Sequence, residues 1–187
     1  MTWWRVAPIA FGGMSLFVGL LPSGVGLAAL RSFERVPVDG VRWEPERRWH
    51  VTLRYSALSD ESTKATLLDA TDEMAALFAP PLVTLGPSTE RLGRDGTLVV
   101  PAQGVDELAD ALDEALAGRL GARDEPFYGH LTLARLRRSS ALPEQLVGRG
   151  IETSFTPGSA VLIESSPGPE GSAYDLVHHA PFGGAVA

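Results

Sequence analysis

Two short segments of the chain pair a histidine with a threonine two residues later: Trp-His-Val-Thr-Leu-Arg-Tyr at 49–55 and Gly-His-Leu-Thr-Leu-Ala-Arg at 129–135. The two histidines, His50 and His130, lie 80 positions apart. On a strand, residues two apart share a face. His50 and Thr52 therefore point one way, and Val51 and Leu53 the other. The same alternation sets His130 and Thr132 against Leu131 and Leu133. The aliphatic residues belong in a core, which turns the polar pairs toward a cleft. Two imidazoles flanking a substrate can divide proton duty. A neutral one takes a proton from a nucleophile and a charged one gives a proton to the leaving oxygen. An ordinary histidine pKa of about 6.5 lets both forms coexist near neutral pH. Two threonine hydroxyls can donate to non-bridging phosphate oxygens, whose charge grows in the transition state. This set suits in-line opening of a phosphodiester and requires neither metal nor cofactor.

The other two histidines, His178 and His179, are strand neighbours on opposite faces, a poor chelate. They read as surface residues, and Tyr174 as core or cleft wall. There is no cysteine, which excludes disulfides, thiolate metal sites and cysteine nucleophiles.

The elements that must carry the two motifs follow from pattern. Ser15 to Leu21 reads as a buried strand, followed by a helix from about Ser23 to Glu34. Val41 to Trp43 is a short strand, and Trp49 to Tyr55 carries the first motif. Ser59 or Asp60 caps a helix with Leu67, Thr71, Met74 and Phe78 on one face, ended by Ala79-Pro80-Pro81. Leu82 to Leu85 and Thr97 to Val100 read as strands joined by a polar loop. A helix from about Val105 to Leu120 shows an apolar stripe, and Phe127 to Leu136 carries the second motif. Gly158 to Glu164 and Ala173 to Val177 form a hairpin around a Gly- and Pro-rich turn. Each half thus repeats strand, helix, motif strand. The expected fold is α+β, with two pseudo-symmetric lobes, each an antiparallel sheet with helices on its outer face, and a cleft between them.

The chain has 187 residues and a formal net charge of −7, which argues against non-specific coating of nucleic acid. Of 16 basic residues, 15 are arginine. Arg42, Arg47, Arg48 and Arg54 surround the first motif, and Arg135, Arg137 and Arg138 end the second. Guanidinium suits phosphate because its planar fork bonds two oxygens at once. Arg54 shares the face of His50 and Thr52 if the strand is regular. Arg135 has the opposite parity to His130 and needs a strand end or twist to reach in. Val6 to Leu30 carries no charge, yet its glycines and prolines break it into strand and helix rather than a membrane span. Residues 1–13 read as an extension before Met14, residues 14–182 as one bilobal domain, and 183–187 as a frayed tail.

Two His-x-Thr motifs at this spacing, in this strand-helix context, resemble the 2H phosphoesterases. Among these the chain is most similar to the bacterial RNA 2′,3′-cyclic phosphodiesterases, or 2′-5′ RNA ligase family. The resemblance covers nearly the whole chain, from Ser-Leu-Phe-Val-Gly-Leu-Leu at 15–21, which looks like the family's opening strand, to the stretch from Val161 to Val177, which resembles its closing hairpin. It implies hydrolysis of a terminal 2′,3′-cyclic phosphate to a 2′-phosphate. His50 matches the family's proton donor, His130 the acceptor that activates water, and Thr52 and Thr132 the phosphate-holding threonines. Phe-Tyr-Gly-His at 127–130 replaces the family's more usual arginine-proline before the second histidine, so Arg54 or Arg135 is the candidate to supply the missing contact. The implied partners are RNA ends bearing cyclic phosphates, such as tRNA fragments, or small cyclic nucleotides. The implied protein is a cytoplasmic, membrane-free monomer. A nucleotide cyclic phosphodiesterase and a non-catalytic RNA-end-binding module are the competing readings. Lys64 is the sole lysine, and no phosphate-loop motif is present. Any joining activity is therefore the reverse of the cyclic-phosphate reaction, without ATP.

Overall fold

The computed structural model describes residues 13–93, 96–123, 125–137, 141–169 and 171–183. Most of the expected N-terminal extension and C-terminal tail, and Arg138, lie outside the described residues. The order is β1 (Ser15–Leu20), α1 (Gly24–Ser32), β2 (Val41–Trp43), β3 (Val51–Ser56), α2 (Glu61–Leu77), β4 (Val83–Leu85), β5 (Glu90–Leu92), β6 (Thr97–Gln103), α3 (Asp106–Leu120), β7 (His130–Leu136), β8 (Thr153–Phe155), β9 (Ser159–Gly168) and β10 (Gly171–Pro181). The fold is α+β, and its strand pairs are antiparallel. Among the described residues no helix is long and apolar enough to cross a membrane.

The strands run β10-β9-β1-β3-β7-β6-β4-β8, with β2 added to β7 and β5 to β6. One half of this path is β10-β9-β1-β3 and the other β7-β6-β4-β8. They meet at a single pair, Val51↔Leu131. These are the residues that follow the two motif histidines, so the seam is also the pseudo-twofold centre. The helices cross over the seam. α1, from the first half, packs on β8, and α3, from the second, packs on β3 and α2. Leu16, Val18, Val51, Leu67, Leu112, Leu131 and Leu133 lie in the core beneath the helices. Fully burying an aliphatic side chain of this size contributes about 1.5–3 kcal/mol, so both motif strands are firmly anchored from behind.

Local chemistry explains the helix limits. Asp60 caps α2 by accepting hydrogen bonds from the Thr63 backbone N–H and hydroxyl, both at 2.9 Å, which satisfies an otherwise orphaned donor. Asp106 and Glu107 stand in the first turn of α3, where carboxylates favour the helix dipole. The structure adds two strands that the pattern did not reveal, β5 and β8. Each has only three residues, too few to show an alternation. The final hairpin is longer than expected and takes in Pro167, opposite Ser172. The β1 pairing with β9 stops at Ser165, so the missing proline N–H breaks no ladder bond on that side.

Candidate active site

The antiparallel register centred on Val51↔Leu131 has a direct consequence. One step either side of that pair, His50 lies across from Thr132, and Thr52 across from His130. Val51 and Leu131, both fully buried, hold the opposite face. All four polar residues therefore share one face at the seam, and each is half-buried.

The two imidazoles are held alike. His50 Nδ1 lies 2.7 Å from the carbonyl oxygen of Arg48, and His130 Nδ1 lies 2.7 Å from that of Tyr128. A carbonyl can only accept, so Nδ1 carries the hydrogen in both rings. Nε2 is thereby left as the atom that gains or loses a proton. Phe17 stacks on His50, with centroids 4.4 Å apart, and Tyr174 meets its edge at 5.5 Å. Tyr128 stacks on His130 at 5.8 Å, and its hydroxyl donates to Glu90 Oε2 at 2.8 Å. Among the described residues neither the Thr52 nor the Thr132 hydroxyl has a hydrogen-bond partner.

Removal from water pushes both imidazoles below the usual histidine value. His50 falls to about 4, chiefly by burial and further by the charges of Arg135 and His130, while the Arg48 carbonyl and Glu44 act the other way. His130 is lowered by burial first and by Arg135 next, against the pull of the Tyr128 carbonyl. The effect of His130 on His50 places the two rings within electrostatic reach of each other. Both are thus neutral in the free protein near pH 7. The even mixture of charged and neutral forms expected from an ordinary histidine is not the resting state. Burial of Tyr174 raises its phenol.

The arginines depart from the sequence reading, and both departures have one cause. Along β3 the register with β1 slips between Gly19↔Thr52 and Val18↔Arg54. Along β7 the register with β6 slips between Val99↔Thr132 and Leu98↔Ala134. Each motif strand therefore contains a bulge at the leucine after its threonine, Leu53 and Leu133. A bulge adds one residue and reverses the alternation beyond it. Arg54 is a correction: it turns to the helix side, where it pairs with Asp113 of α3 and donates to the Gly121 carbonyl at 2.7 Å. Arg135 is turned onto the histidine face by the matching bulge. Its Nε donates to Glu44 Oε1 at 3.0 Å.

Sequence reasoning missed Glu44, Phe17 and Tyr128. Glu44 is buried, and it also accepts from Arg48 Nη1 at 3.2 Å and Arg42 Nη2 at 3.4 Å. The available signal was its place among Arg42, Arg47 and Arg48. His178 pairs with Asp72 at 2.7 Å, away from the motif pair in sequence and on the outermost strand. Among the described residues, no group of three or more His, Asp or Glu side chains is placed to hold a metal ion.

Gly129, in the segment where the motif context is unusual, has a steric reason. A Cβ there would collide with the Ala102 carbonyl oxygen and lie 2.9 Å from Val105 Cγ2. The Ala102 backbone N–H donates to the Gly129 carbonyl at 2.8 Å, so the two chain segments are in direct contact. Gly129→Ala is expected to cost about 1–3 kcal/mol, read as a lower midpoint in denaturant unfolding.

An open groove of about 570 Å³ is lined by Leu21, Pro22, Leu27, Pro45, Arg47 and Trp49 among others, and none of His50, Thr52, His130 and Thr132 lines it.

No protein-family model matches the chain, and no curated protein matches it. Solved structures do. The structure of TT0787 from Thermus thermophilus superposes with a TM-score of 0.75 at 23% identity, covering 91% of this chain and 98% of that one. LigT of Escherichia coli in complex with 3′-AMP superposes at 0.66 with 20% identity, over 90% of this chain and 98% of LigT. The fold is that of LigT. A structure described as a phosphoesterase superposes equally, at 0.66 with 19% identity, covering 90% of this chain and 98% of that one. The likeness to the LigT fold spans both halves and the seam between them.

Proposed function

We propose that this protein is a 2H phosphoesterase that opens a terminal 2′,3′-cyclic phosphate to a 2′-phosphate by metal-independent acid–base catalysis. The observation that carries the proposal is the seam. Two histidines with the same tautomer and two threonines with open hydroxyls face one space from symmetry-related positions. In this reading His130 Nε2 takes a proton from water as its oxygen attacks phosphorus. His50 Nε2 gives a proton to the departing 3′-oxygen as the P–O3′ bond breaks. Thr52 and Thr132 donate to the non-bridging oxygens, and Arg135 offsets their growing charge. Placing acid and base on opposite sides of the phosphate is what in-line displacement requires. With the 5′-hydroxyl of a second RNA in place of water, the same groups join it to a 2′,3′-cyclic end without ATP: His130 takes the hydroxyl proton as the new P–O bond forms, and His50 gives a proton to O3′ as the P–O3′ bond breaks. The LigT structures hold 3′-AMP, NADP+ and ATP, which supports a nucleotide as the ligand class.

The test compares an oligonucleotide ending in a 2′,3′-cyclic phosphate with the corresponding mononucleotide. The expected product in both is the 2′-phosphate, with higher kcat/KM on the oligonucleotide. Turnover confined to the mononucleotide moves the assignment to a small-nucleotide phosphodiesterase. Tight binding of the cyclic end without turnover moves it to a binding module.

A further inference from the structure

We infer that Glu44 is a positioning residue that fixes the Arg135 guanidinium against the two-histidine site. The inference rests on the proposed phosphodiesterase reading, in which Arg135 meets the phosphate. Arg42 and Arg135 are directly opposite each other in the β2–β7 register, so two like charges face one another across the strands. Such a pair is unfavourable unless a counter-charge lies between them. Glu44, two residues beyond Arg42 and on the same face, supplies it. One carboxylate oxygen accepts from both Arg135 and Arg42, and the other from Arg48. The Glu44 backbone N–H donates to the Leu133 carbonyl at 2.8 Å. That carbonyl belongs to the bulge that turns Arg135 inward, so backbone and side chain of Glu44 act on the same arginine.

The carboxylate engages Arg135 through Nε. The terminal nitrogens of the fork are then the ones available for two phosphate oxygens, the geometry for which guanidinium is suited. The opposite side of the cluster is closed by Gly171, whose φ is +99° and where a Cβ would collide with Arg42. A buried carboxylate is expensive unless paired and hydrogen-bonded. Glu44 therefore has a single place to sit, and it sits where it aims Arg135.

The experiment uses the full chain and four forms: wild type, Glu44→Gln, Arg135→Ala and the double variant. Turnover of a nucleoside 2′,3′-cyclic phosphate, its pH profile and the unfolding midpoint are measured for each. Glu44→Gln is expected to lower kcat/KM roughly tenfold or more, because a misplaced group costs on this scale. In the Arg135→Ala background the same change is expected to have no further effect. The pH profile separates positioning from mere support. His50 faces Phe17 from β1, Tyr174 from β10, His130 and Arg135 from β7, and Glu44 beyond β2. Glu44 is the carboxylate whose charge raises His50, so its neutralisation moves the basic limb of kcat/KM to lower pH. Equal losses in both backgrounds, with an unmoved pH limb, overturn the inference. Glu44→Asp keeps the charge with a shorter reach. It is expected to restore the pH limb but not the full rate, and it serves as the second variant if Glu44→Gln does not fold. If wild type turns over no cyclic phosphate, the functional reading fails separately. Calorimetric binding of inorganic phosphate then reads Glu44 directly: weaker binding for Glu44→Gln only when Arg135 is present supports it, and unchanged binding overturns it.

Discussion

Replacing His50 or His130 by alanine is expected to lower kcat on a 2′,3′-cyclic phosphate by roughly 10²- to 10⁴-fold each, the range for loss of one general acid or base. The double variant is expected to lose less than the product of the two, because the pair acts as a unit. The reasoning is geometric. Each ring has its Nδ1 tied to a carbonyl, at 2.7 Å in both cases, and so presents only Nε2 to the substrate. Among the described residues no neighbouring side chain stands ready to replace it: Tyr174 and Tyr128 flank the rings, and both phenols are raised by burial. Folding should be largely unaffected, since the carbonyls of Arg48 and Tyr128 reach solvent once the half-buried rings are removed. Unchanged unfolding midpoints with collapsed kcat are the expected pattern. Full activity in either single variant removes that histidine from the mechanism.

The second large effect is in the pH dependence. A productive site holds one charged and one neutral imidazole, and burial works against the charged one. With His50 near about 4 in the free protein, its charged fraction falls about tenfold for each pH unit above that value. kcat/KM, which reports the free enzyme, is therefore expected to decline with rising pH between about 5 and 8. A bound phosphodiester carries a negative charge, and an anion between the rings favours imidazolium. The basic limb of kcat, which reports the complex, is expected at higher pH than that of kcat/KM. Arg135 lowers both histidines, so Arg135→Gln is expected to move the kcat/KM limb upward while reducing the rate. A kcat/KM that is flat from pH 5 to 8 contradicts two-histidine catalysis.

The pairing of the two motif strands was legible because it rests on a rule without exceptions inside a regular strand. His50 with Thr52 and His130 with Thr132 must share faces, and the buried Val51 and Leu131 fix which face. The arginines were not legible, because the same rule fails at a bulge. Strict alternation turns Arg54 inward and Arg135 outward, and the extra residues at Leu53 and Leu133 reverse both. Nothing in Thr-Leu-Arg-Tyr or Thr-Leu-Ala-Arg marks a bulge, since neither carries the glycine that often announces one. Glu44 was hidden for another reason. An acid in Glu-Pro-Glu-Arg-Arg reads as part of a solvated loop, and only the tertiary pairing of β2 with β7 shows that it is buried. The crossing of α1 onto β8 is likewise a long-range choice that local pattern does not encode.

The most direct test follows adenosine 2′,3′-cyclic phosphate by phosphorus NMR in a buffer containing chelator, with wild-type protein and with the His50→Ala/His130→Ala double variant. The account predicts conversion of the cyclic resonance to that of the 2′-phosphate by wild type alone. Persistence of the cyclic resonance with wild type, or equal conversion by the double variant, contradicts it.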